Sequence, residues 1–162
     1  AIGSAAVQLL KYFGAKVTAV CNSVNVQLVK SLGADIVVDY ETTDFTRTDV
    51  RYSLVFDAVG KSSFGVCKRI LRENGLYIST ELGKNGQNIF PAMLSRFHKG
   101  KRVLFPLPTI NREDVEFLKR LVEEEKFMPV IDRNYPLEKI VEAYRYVESG
   151  KKTGNVVISI SE

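Results

Sequence analysis

The 162-residue sequence has no tryptophan, one histidine, two methionines and two cysteines, Cys21 and Cys67. The cysteines stand far apart without Cys-x-x-Cys spacing. With one histidine, His98, they cannot make a four-donor zinc knuckle, and two isolated thiols are no disulfide framework. A reducing, cytoplasmic setting is therefore expected. No apolar run approaches the roughly 18 residues needed to span a bilayer. No basic stretch leads into a short apolar one, as a secretory leader would require, so neither a leader nor a membrane partner is expected. A strong charge of one sign is also lacking: the formal net charge is +4. Basic residues gather only weakly, as "FHKGKR" (97–102) and "GKK" (150–152), without the aromatic interleaving of a nucleic-acid surface. No nucleic-acid partner is expected.

What is present is a globular composition, 45% hydrophobic and 26% charged, in a chain long enough to bury a core. Apolar positions Ala6, Leu9, Leu10 and Phe13 recur at helical spacing within 4–13, and Gly14 follows as a stop. "KVTAV" (16–20) is short and β-branched, as a strand should be. A helix over 24–32, closed by Gly33, leads to a strand, "DIVVD" (35–39). "SLVFD" (53–57) is the next strand. A helix over 62–71, a turn at "ENG" (73–75) and a strand, "LYIST" (76–80), follow. A helix over 88–98 precedes the strand "RVLF" (102–105). The clearest helix spans 111–126, with Asn111 as cap, Asp114 at the third position, and Val115, Leu118, Leu121 and Val122 as one apolar stripe. Pro136 opens a last helix (137–149), and "NVVISI" (155–160) is the final strand. No repeats or low-complexity tracts interrupt this order.

Apolar strands alternating with helices predict an α/β fold with a parallel sheet covered on both faces, a doubly wound, three-layer arrangement. Ligands of such sheets bind beyond the carboxyl ends of the strands. The residues there are Cys21-Asn22-Ser23, Tyr40, Ala58-Val59-Gly60 and Glu81-Leu82-Gly83. Gly3, at the start of a helix that leads into a strand, suits a pyrophosphate, because the unpaired amides and dipole of the helix end favour an anion. One glycine of a G-x-G-x-x-G fingerprint is weak evidence alone, and a plain turn is the alternative. An acid after the second strand would hold a ribose 2′-hydroxyl. Asn22 and Ser23 stand there instead and can donate to a 2′-phosphate, which favours NADPH over NADH.

Taken in order, "SLGAD" followed by "DY", then "FDAVG", "LRENGLYIST" and "GKKTGNVVISI" resemble the coenzyme domain of the medium-chain dehydrogenase/reductase superfamily. The likeness is to its quinone oxidoreductase-like and zinc-type alcohol dehydrogenase-like branch, and it extends over essentially the whole chain. It implies a Rossmann-type nucleotide-binding domain over 1–162, with 127–162 a tail that returns to a GroES-like catalytic domain. It also implies that the first strand of the sheet and most of the glycine-rich loop precede Ala1. The slot of that strand is then expected to be filled by 155–160 or by a second copy.

By position, the resemblance places Ile2 and Gly3 at the pyrophosphate. Asn22, Ser23 and Tyr40 would lie around the adenosine ribose, Val59 and Gly60 along the riboses, Glu81 and Leu82 beside the nicotinamide, and Phe105 near the carboxamide. Lys152 could reach a phosphate. Many relatives carry a basic residue at 24–25, where this chain has Val24 and Asn25. No catalytic residue and no zinc ligand are expected within these residues, because the family's zinc ligands belong to the other domain. The implied activity of the longer protein is hydride transfer from NADPH, or less readily NADH, to a small quinone, enone or carbonyl substrate. The fragment itself is expected to be inactive. The family pairs edge strands, here 103–105, so a homodimer is implied. A non-catalytic nucleotide-binding or dimerisation module is the competing reading. A methyltransferase-like domain is a further one, disfavoured by Asn22 where an acid is usual and by the ending at 137–160.

Overall fold

The computed structural model describes residues 1–80, 88, 100–105, 109 and 111–160. They divide into two compact units, Ala1–Asp39 with Ile110–Glu162, and Tyr40–Thr109. Every strand pairing within them is parallel.

In the first unit, helix α1 (Ile2–Tyr12) leads into strand β1 (Thr18–Cys21). A 3-10 turn (Ser23–Asn25) precedes α2 (Val26–Ser31), and β2 (Ile36–Asp39) returns beside β1, with Thr18 opposite Ile36 and Cys21 opposite Asp39. The helix expected over 24–32 is thus split. Its first turn winds more tightly, behind Asn22 in an extended conformation.

Asp35 fixes the start of β2. It accepts from Lys11 Nζ at 2.9 Å and from Val17 N–H at 2.6 Å, tying α1, β1 and β2 together. The Gln8 amide donates to the Met128 carbonyl and accepts from the Met128 N–H, so α1 also holds the 128 segment.

Helix α4 (Arg112–Glu123) is capped as its sequence predicts: Asp114 N–H donates to Asn111 Oδ1 at 2.8 Å within a reciprocal capping box. Of its apolar stripe only Leu121 is buried; Val115, Leu118 and Val122 remain exposed. Full burial of one such leucine contributes about 1.5–3 kcal/mol. Phe117 packs instead on Tyr12 and Phe13, with ring centroids 5.8 and 6.1 Å away.

Strand β6 (Ile131–Pro136) was not expected from the sequence, where Pro136 reads as a helix start. Proline closes the strand, and a 3-10 turn (Leu137–Lys139) then opens α5 (Ile140–Glu148). Strand β7 (Asn155–Ser159) pairs with β6 from Ile131–Asn155 to Pro136–Ser159. The expectation that 155–160 fills a slot beside the earlier strands is therefore corrected. Its ladder is with β6, a partner made available by the strand that the sequence reading missed.

The second unit holds β3 (Tyr52–Asp57), α3 (Phe64–Cys67), β4 (Leu71–Ser79) and β5 (Arg102–Leu104), with the sheet order β3-β4-β5. The predicted 62–71 helix is one turn, α3, followed by a 3-10 turn (Lys68–Ile70). "ENG" is not a separate turn before the strand. It lies inside β4 as a bulge, with register skipping from Tyr52–Leu71 to Leu54–Leu76 and Asn74 at φ +63°. Cys67, Ile70, Leu71, Tyr77 and Val103 form the buried core of this unit, with Phe45, Tyr52, Val55, Phe64 and Phe105 packed against it. The helix expected over 88–98 lies outside the described residues, apart from Asn88.

Candidate functional site

In the first unit the amino end of α1 carries no acidic residue in its first turn. Ser4 Oγ and Ala5 N–H both donate to the Ala1 carbonyl, at 2.9 and 3.1 Å, which shapes the turn around Ile2 and Gly3. The Ala1 nitrogen lies within reach of the charges of Lys152 and Asp132. Burial first, then the Lys152 ammonium, lowers the pKa of its amino group. The fold therefore brings Lys152 and Asp132 within electrostatic reach of Ala1, at the start of α1.

Lys152 is positioned by a built loop. Its Nζ donates to the Gly154 carbonyl at 2.9 Å, a neutral acceptor that leaves the charge in place for an anion. Asp132 at the start of β6 accepts from Thr153 N–H at 2.6 Å and from the Tyr146 hydroxyl at 2.9 Å. Arg133 lies over the Tyr146 ring, 3.8 Å from its centroid. Gly154 takes φ +96°, and a Cβ there would lie 2.5 Å from the Val130 carbonyl. The sequence reading did not single out Asp132 or Tyr146, and it took Gly154 only as part of the family's closing motif. The signal that could have found Asp132 was its place opposite the GKKTG loop, visible only once β6 pairs with β7.

At the carboxyl end of β1, Asn22 Oδ1 accepts from Asn25 Nδ2 at 2.6 Å. Ser23 Oγ donates to Asp39 Oδ2 at 2.5 Å. No acid stands in this turn itself, and the parallel register puts Asp39 opposite Cys21 and so brings a carboxylate to it from the neighbouring strand. Burial, and then the Asp39 charge, push the Cys21 thiol up, away from the reactive thiolate.

In the second unit, Tyr40 is exposed and Val59 is 66% exposed, while Asp57 beneath Val59 is 8% exposed. The Asp57 carboxylate accepts from Val59 N–H at 3.3 Å, Ser62 N–H at 3.0 Å and the Tyr77 hydroxyl at 2.9 Å. These bonds fix the 57–62 loop, in which Gly60 adopts φ +64°, a conformation that L side chains rarely take. Ser62 Oγ and Cys67 Sγ share a hydrogen bond at 3.2 Å, and burial pushes the Cys67 thiol up. Asn88 accepts from Phe64 N–H at 3.1 Å, and its amide counters part of the upward push on Tyr77. Phe105 packs against the core. Glu81 and Leu82 lie outside the described residues.

Among the described residues no three His, Cys, Asp or Glu side chains come together as a metal-ligand group. In the first unit, an α1 whose first turn holds no acid, a lysine within electrostatic reach of Ala1 and hydrogen-bonding groups after β1 suit part of a nucleotide.

Parallel strand pairs alternating with helices define an α/β module. The family model described as zinc-binding dehydrogenase matches residues 32–158, and the chain belongs to that family. It is 35% identical over 162 residues to the chloroplast envelope quinone oxidoreductase homolog of Arabidopsis thaliana, a match covering 97% of this chain and 49% of that protein. The fold superposes on the quinone oxidoreductase from Coxiella burnetii with a TM-score of 0.84 and 28% identity, covering 98% of this chain and 49% of that one. An NAD-dependent alcohol dehydrogenase gives a TM-score of 0.78 at 26% identity, covering 98% and 48%. The Rossmann-type expectation for the fold is met in these neighbours. The chain spans about half the length of the relatives it matches.

Proposed function

We propose that this chain is the coenzyme-binding part of a nicotinamide-dependent oxidoreductase whose substrate is a small quinone, enone or carbonyl compound. The observation that carries the reading is Lys152 within electrostatic reach of Ala1, next to an α1 whose first turn holds no acid, in a chain of the zinc-binding dehydrogenase family. The bound nicotinamide would supply the hydride. The protein's part is to bind, orient and exclude water. The α1 amides around Gly3 and the Lys152 ammonium hold the pyrophosphate. Asn22, Ser23 and Tyr40 take the adenosine ribose. Val59 covers a ribose with apolar surface, and Gly60 lets the backbone approach. Glu81, Leu82 and the Phe105 backbone take the nicotinamide end.

NADPH is the favoured form, on the amide of Asn22. Residues 127–162 connect to the catalytic domain of the longer protein, and the 103–105 edge strand pairs two copies into a homodimer. The 162-residue chain alone carries out no turnover, because the catalytic domain of the longer protein seats the substrate.

Nicotinamide fluorescence during titration of NADPH and NADH into the chain tests the reading. Saturable binding is expected, with Lys152→Ala weakening both nucleotides alike, because the pyrophosphate is common to them. No binding of either nucleotide overturns it.

A further inference from the structure

We propose that the amino ends of β3, β4 and β5 form a docking surface for an acidic polypeptide segment of a partner protein. The charge of the chain is unevenly divided. Residues 40–109 hold eleven Lys and Arg against six Asp and Glu, while the rest of the chain holds twelve against thirteen. The second unit therefore carries the whole positive excess. Of its acids, Asp57 is nearly buried, and Asp44 is already paired with Arg47 and Arg69, at 3.2 and 3.8 Å. The surface lies at the end of the sheet opposite to the one where ligands of parallel strands bind, so it stands apart from the nucleotide reading.

The sequence disperses these cations over residues 51–102, and strand pairing gathers them. Arg51 precedes β3, Arg72 is the second residue of β4, and Arg102 opens β5, with Tyr52 opposite Leu71 and Leu76 opposite Arg102. Arg72 Nε donates to the Arg51 carbonyl at 3.0 Å, and Lys101 Nζ to the Lys68 carbonyl at 2.7 Å. Arg51 Nη1 donates to the carbonyls of Thr48 and Val50, at 2.9 and 3.3 Å. All these acceptors are neutral, so the bonds position the cations without cancelling their charge. Among the described residues, Arg51, Lys68, Arg72, Lys101 and Arg102 join no ion pair, and neither do the neighbouring Asp49 and Glu73.

The remaining donors select the occupant. Arg51 keeps its Nε and Nη2, and Arg72 its two terminal nitrogens. Each is a two-donor edge that matches a carboxylate bidentately. With the ammonium groups of Lys68 and Lys101 nearby, they suit successive Asp or Glu side chains. The rings of Tyr52 and Phe64 pack against the core, so they do not stand out to stack on bases. Arg51, Arg72 and Lys101 are tied down along the surface by their main-chain bonds, where a flexible acidic chain reaches them and a flat bilayer does not.

The test is fluorescence anisotropy of a labelled oligoglutamate peptide titrated with the 162-residue chain. Saturable binding is expected, weakening as salt rises. Arg51→Gln with Arg72→Gln is expected to weaken it about tenfold, since two charge-assisted contacts are lost at an exposed surface. Lys16→Gln with Lys30→Gln removes the same charge from exposed positions of the first unit and is expected to leave binding unchanged. No saturable binding, an unchanged affinity in the folded arginine variant, or an equal loss in the lysine variant overturns the inference. So does tighter binding of phosphatidylserine vesicles or of oligothymidylate at equal negative charge and salt, because the occupant would then be a lipid surface or a nucleic acid. If circular dichroism shows the arginine variant unfolded, Lys68→Gln with Arg102→Gln takes its place, with the same loss expected, and unchanged binding there overturns the inference.

Discussion

The Tyr77 hydroxyl donates to Asp57 Oδ2 at 2.9 Å, joining a fully buried ring on β4 to a nearly buried carboxylate at the end of β3. The register places Asp57 opposite Ser79, so Tyr77 is two residues back along the neighbouring strand, on the same face. Asp57 in turn holds the backbone of Val59 and Ser62. One bond inside the sheet thus shapes the loop that follows β3.

Replacing Tyr77 by Phe should cost about 1.5–3 kcal/mol, the usual range for a hydrogen bond to a charged group, because the buried carboxylate loses a donor. Burial first, and then Asp57, raise the Tyr77 pKa well above the ordinary tyrosine value of about 10. The folded state then binds a proton that the unfolded state releases. The stabilisation is complete below pH ~10 and is lost as pH rises toward the folded value. Urea titrations at neutral and alkaline pH should show wild type weakening above pH ~10 more steeply than Tyr77→Phe.

A Cβ at position 154 would stand 2.5 Å from the Val130 carbonyl, on a backbone at φ +96°. Gly154→Ala should therefore cost about 1–3 kcal/mol from the backbone conformation alone, with the clash adding to it. It should also loosen Lys152, whose ammonium is bound to the Gly154 carbonyl. Thermal melts should show the loss, and nucleotide titration should show weaker binding of NADPH and NADH alike.

Hydrogen bonds from Lys11 and then from the Val17 amide hold the Asp35 carboxyl below the ordinary carboxylate range. A depressed folded pKa means that the unfolded chain takes up the proton first as pH falls. The contribution is present above about pH 4 and is lost as pH drops through the folded value. The midpoint of thermal unfolding should fall with acidification over that window, and Asp35→Asn should show a shallower acid dependence.

The strands β1, β2, β3 and β5 were legible in the sequence because each is a short β-branched run next to turn residues. The cap of α4 was legible because Asn111 and Asp114 interact within four residues of each other. Strand β6 was not. "IDRNYP" alternates polar residues and ends in proline, and its partner β7 lies more than twenty residues away. The bulge in β4 escaped for a related reason. "ENG" reads locally as a turn, and only pairing with β3 on both sides keeps it inside one strand.

The sequence by itself determined the α/β class and the order of most of its elements. These depend on side-chain periodicity and turn chemistry, which act over a few residues. The tertiary structure decided that Asp39 meets Ser23, that Asp57 binds Tyr77, that Asp132 shapes the Lys152 loop, and that Lys152 stands near the end of α1. Each of these is a charge or a buried hydroxyl satisfied by a group 16 or more residues away, the Lys152 charge excepted. Strand register and loop closure set such distances, and no local pattern encodes them.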